Sequence, residues 1–190
     1  MIQGYILLPQ QSTTGYYGID RELFEPLLIE SEIIQHVPGK EYSTVSSFYP
    51  EGWRKAAYQL FESNSIPLDN NCDILKDFST ATEIENIIDS HLGKHDIFFV
   101  EISDESAEFN RTTSFFGYDF AYLGGDFYSA IKNGLFINSS EMLYDKYAAK
   151  LNRNGLFDDV SFFEDYISDF KMEVASEKNS IFWIYRLTKK

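Results

Sequence analysis

The segment Asp96-Ile97-Phe98-Phe99-Val100-Glu101-Ile102-Ser103 is an almost unbroken apolar run of strand length. Such a run predicts a central strand. Other segments must then supply strands beside it and helices over it. Residues 2–8, apolar and ended by Pro9, predict a strand followed by a polar loop over residues 10–18. Asp20 is placed to cap a short turn that Pro26 limits. Residues 27–37 and 42–49 read as further strands, residues 64–79 as irregular, residues 113–123 as an aromatic strand and residues 180–187 as the last strand.

Helical spacing is equally plain. Trp53, Ala56, Ala57, Leu60 and Phe61 recur at intervals of three and four between Gly52 and Ser63. Thr82 and Glu85 match a capping box ahead of a stripe of Ile84, Ile87, Ile88 and Leu92 that Gly93 ends. Ser140 opens a helix carrying Leu143, Tyr147, Ala148 and Leu151, with Asn154-Gly155 as its expected close. Val160, Phe163, Ile167, Phe170 and Val174 form the apolar seam of a last helix, from which Glu164, Asp165 and Asp169 diverge. Strands and helices do not alternate strictly. The expected architecture is therefore one α+β domain over residues 1–190, an antiparallel or mixed sheet with about four helices packed on it. All five prolines fall within the first 67 residues and none marks a linker, so we read a loop-rich first part rather than a domain boundary.

Charge narrows the function classes. Sixteen Lys and Arg oppose 30 Asp and Glu, a net −14 that falls on both halves of the chain. Nucleic-acid affinity rests on cations neutralising phosphates, and anionic membranes attract basic clusters, so neither partner is expected. A basic protein partner is compatible with such a charge, as is simple solubility. The opening residues lack the basic n-region of a signal peptide, and no apolar stretch approaches the ~20 residues of a spanning helix. With Cys72 the lone cysteine, an intramolecular disulfide is impossible and a cytoplasmic location is expected.

Chemical motifs are few. Residues 115–131 gather Asp119, Gly124, Gly125, Asp126 and Tyr128 among aromatics. One reading is a carboxylate site for a small-molecule hydrolase or transferase; the other is a glycine turn with its acids bonded to nearby backbone. The segment lacks the Gly-x-Gly-x-x-Gly order and the Lys-Ser/Thr of phosphate loops. His91 and His95 have i, i+4 spacing, but Gly93 lies between them and is expected to end the helix, so no metal site and no cofactor are expected. Cys72 stands beside Asp73, a setting that disfavours the thiolate, and no Gly-x-Ser-x-Gly occurs. No catalytic residue can be assigned.

The run from Phe157 to Phe170 contains five acids and no base: Asp158, Asp159, Glu164, Asp165 and Asp169. As a solvated helix face it carries no function; as a docking surface, these acids with Tyr166 and Phe162 suit a Lys/Arg-rich protein. The segment from Gly117-Tyr118-Asp119 through Gly124-Gly125-Asp126-Phe127-Tyr128-Ser129-Ala130-Ile131, together with Leu151-Asn152 and Asn154-Gly155-Leu156-Phe157, is similar to parts of small acidic bacterial immunity proteins of polymorphic toxin systems. The similarity covers about a quarter of the chain. It implies a non-enzymatic cytoplasmic inhibitor that blocks a basic toxin domain, and it transfers no individual binding residue.

Overall fold

The structure is a computed structural model that describes residues 1–9, 52–69, 72–92, 94–106, 109, 115–122, 129–138, 140–152 and 154–190. The strands expected at 27–37 and 42–49, the loop at 10–18 and the Asp20 cap lie outside these residues. Six strands are described: β1 (Ile2–Pro9), β2 (Ser65–Asp69), β3 (Cys72–Leu75), β4 (His95–Ser103), β5 (Gly117–Tyr122) and β6 (Phe182–Lys189). They form one sheet in the order β2-β3-β1-β4-β6-β5, with every adjacent pair antiparallel. The described helices are α1 (Gly52–Asn64), α2 (Phe78–Leu92), a π-helical segment (Lys132–Ile137), α3 (Glu141–Tyr147) and α4 (Phe163–Glu173), with short 3₁₀ turns between. The fold is α+β.

The apolar run of β4 occupies the centre it was expected to occupy, between β1 and β6. Gly4 lies opposite Val100, and Val100 opposite Leu187. Residues directly opposite in a ladder share a face, and alternate residues of a strand return to it. Ile6, Phe98, Val100, Ile102, Tyr185 and Leu187 thus line one face, all buried. Leu7, Ile97, Glu101, Arg186, Ile184 and Phe120 line the other. On that second face α1 and α2 cover one end, where Ala57, Phe61, Ala81, Ile84 and Ile88 enclose Leu7 and Leu75. At the far end Phe120 meets Phe157, Phe163 and Tyr166, with ring centroids 5.2, 5.1 and 5.9 Å apart, which seats α4 there.

Several boundaries differ from expectation for identifiable reasons. Residues 64–79 are not irregular: β2 and β3 pair as a hairpin, Ile66 opposite Ile74. Pro67 is tolerated because β2 is outermost among the described strands, where a missing N–H breaks no central ladder. Helix α2 starts one turn before Thr82. Asp77 caps it, Oδ1 accepting from the Thr80 backbone N–H at 2.7 Å and from Ser79 Oγ at 2.6 Å, while the Thr82 hydroxyl donates to Phe78 O inside the helix. Ser140 caps α3 as expected, accepting from Leu143 N. Asn154-Gly155 does not close that helix; residues 148–150 tighten into a 3₁₀ turn and Leu151 is already extended. Gly155, at φ 72°, instead makes the turn that brings Leu151 opposite Phe157. Phe115 and Phe116 precede the aromatic strand rather than belonging to it, and the final strand lies two residues later than expected.

Gly4 is required by close approach: a Cβ there would sit 2.5 Å from Ile74 Cδ1 and 2.6 Å from the Leu75 carbonyl oxygen. Gly4→Ala is expected to lower unfolding stability by about 1–3 kcal/mol in urea titration, since backbone cannot yield as a flexible side chain can. Gly52→Ala, where an added Cβ meets no described atom within 4 Å beyond its neighbours and its own helix backbone, is expected to leave stability unchanged or slightly higher.

Candidate functional site

The acidic run splits into exposed and engaged members. Asp158, Asp159, Glu164 and Asp165 are exposed. Asp158 accepts from Asn152 Nδ2 at 2.7 Å, and Asp159 caps the turn Val160–Phe162 by accepting from Ser161 N at 2.9 Å. Glu164 and Asp165 fall in the first turn of α4, where the helix dipole favours negative charge. Three residues expected on this surface are wholly or partly withdrawn from it. Tyr166 is fully buried, donates its hydroxyl to Ala130 O at 3.0 Å and packs against Phe120, Tyr147 and Phe157. It sits one residue off the expected seam because the core around α4 is wider than an a/d stripe. Asp169 is turned inward across the helix pair, and Phe162 is half-buried under the ammonium of Lys150 at 4.9 Å.

Asp169 closes a clasp between α3 and α4. Its Oδ2 accepts from Lys146 Nζ at 2.5 Å and from the Tyr147 hydroxyl at 2.6 Å. One turn beyond, Ser140 Oγ donates to Glu173 Oε2 at 2.7 Å while still accepting from Leu143 N. The Lys146 ammonium and then the Tyr147 hydroxyl hold the Asp169 carboxyl below its usual 3.8. Burial, followed by the hydrogen bond to Asp169, pushes the Tyr147 hydroxyl up to about 12.

In the second candidate segment only Asp119 is among the described residues; Gly124, Gly125, Asp126 and Tyr128 lie outside them. Asp119 is fully buried on β5, its Oδ1 accepting from Ser129 Oγ and from Phe120 N, each at 2.7 Å. These bonds hold the start of the π-helical region against β5, where Ala121 and Ser129 lie opposite one another. The geometry is that of a carboxylate tying its own chain together.

His91 and His95 fall on different elements, α2 and β4, so the helical pair that i, i+4 spacing needs does not exist. Cys72 opens β3. Among the described residues no group of three or more His, Cys, Asp or Glu is placed to hold a metal ion. Among them, too, no helix is long and apolar enough to cross a membrane.

A feature not singled out from the sequence lies mid-sheet, between the two helix groups. Glu101 on β4 accepts from Arg186 Nη1 on β6 at 2.8 Å and from Gln3 Nε2 on β1 at 3.3 Å. Arg186 is buried and lies 5.1 Å from the Phe115 ring centroid. Toward α2 the same face continues as half-buried Tyr5 and Phe99, 5.4 Å apart, and then Phe78, 45% exposed. The signal was present: Glu101 and Arg186 each interrupt an apolar strand, and a lone charge at a core register needs an opposite one across the ladder.

No family model, curated protein or solved structure matches this chain. Function must therefore be argued from these residues alone.

Two outcomes follow. The stability Asp169 adds to the clasp is fully present above pH 3.8 and is lost as pH falls through its depressed folded value; that of Tyr147 is fully present below pH 10 and is lost as pH rises toward 12. In urea midpoints measured across pH, the wild-type advantage over Asp169→Asn should close in acid, and Tyr147→Phe should lose less than wild type above pH 10. For the mid-sheet pair, Glu101→Leu is expected to cost about 3–5 kcal/mol by removing the carboxylate that a buried guanidinium pairs with, whereas Glu101→Leu with Arg186→Met should cost less than the single change. Equal or larger loss in the double variant would show that the charges contribute beyond their mutual pairing.

Proposed function

We propose that the protein is a non-enzymatic binding protein of the cytoplasm, an immunity-type inhibitor that neutralises a basic toxin or effector domain through its acidic surface. The observation that carries this reading is the exposed carboxylate group Asp158, Asp159, Glu164 and Asp165, gathered at the start of α4 in a chain of net charge −14. A nuclease-like domain must present Lys and Arg to hold its own substrate. An acidic surface approaching it gains association rate from long-range attraction and competes with that substrate for the same cations. The rigidity of the surface also suits docking, because α4 is anchored by Phe163, Tyr166, Ile167 and Phe170 and clasped to α3 through Asp169.

The competing role of the same acids is local: Glu164 and Asp165 offset the positive end of the α4 dipole, and Asp158 and Asp159 secure the turn before it. Charge reversal separates the two. Asp119 supports the binding reading over a hydrolase or transferase built on Asp119 and Asp126, since its Oδ1 is already engaged by Ser129 and Phe120.

The test is a pull-down with tagged protein from its native host at low and moderate salt, followed by purification of the captured protein and assay of its activity. The expected partner is basic, is lost as salt rises through the range where the screening length falls toward ~8 Å, and is inhibited stoichiometrically by the wild-type protein. Glu164→Lys with Asp165→Lys should weaken that inhibition at least tenfold while lowering stability by only about 1–2 kcal/mol through the dipole. Asp169 is left intact in this variant because its loss unlatches α3. Full inhibition by the variant excludes the face, and no basic partner at low salt removes the proposal.

A further inference from the structure

We draw no further inference here: the strongest candidate, the strip of sheet between the two helix groups that carries Tyr5, Phe99, Glu101 and Arg186 with exposed Phe78 at its rim, carries nothing because nothing in the structure shows what covers it.

Discussion

The double pairing of β4 is the constraint on which the described structure depends. Both edges of that strand are paired, by β1 along its length and by β6 from Phe98 to Ser103, so the backbone polar groups of its middle are satisfied within the sheet. That allows Phe98, Val100 and Ile102 to be buried completely on one face. On the other face the same pairing brings Glu101, Gln3 and Arg186 together, so the one charged residue of the strand's apolar stretch finds a cation at hydrogen-bond distance. The described helices occupy the two ends of this second face. The charged pair lies between the α1/α2 core and the α4 core on this face.

At the α4 end, packing is aromatic to an unusual degree. Phe120, Phe157, Phe163, Tyr147, Tyr166 and Phe170 contact one another in stacked, tilted and edge-on arrangements. Edge-on pairs align the positive ring edge with the negative face, so this cluster gains specificity beyond the area it buries. Two tyrosines bring hydroxyls into it, and each is satisfied at the periphery, Tyr166 by Ala130 O and Tyr147 by Asp169. The 17% aromatic content, ambiguous in the sequence between core and contact surface, thus goes in part into this core.

What could be read from the sequence follows from where the signal is local. The β4 run, the 3- and 4-residue spacing of α1 and the Ser140 cap each depend on neighbours in the chain, and all three are found in place. The hairpin of β2 and β3 was missed because a proline argues against a strand unless the strand lies at an edge, and edge position is a property of the whole sheet. The capping-box pattern at Thr82 gave the helix but not its start, which Asp77 sets by accepting from the Thr80 N–H and the Ser79 hydroxyl. The candidate surface was half legible: exposure of Glu164 and Asp165 follows from their positions off the seam, but the inward turn of Asp169 depends on Lys146 and Tyr147 of another helix. Burial of Tyr166 likewise reflects Phe120 and Phe157, which no helical wheel contains.

The mid-sheet triad also has a kinetic meaning. Gln3 is 98 residues from Glu101 in the chain, and Arg186 is 85 residues from it on the other side. Closing loops of that length costs conformational entropy before any contact repays it, so sheets built from distant strands form slowly. Until β6 arrives, β4 presents an apolar strand with one open edge, the form in which chains pair with copies of themselves. Folding speed in this protein, and its yield at high concentration, should be governed by how quickly its first and last described strands find the same middle one.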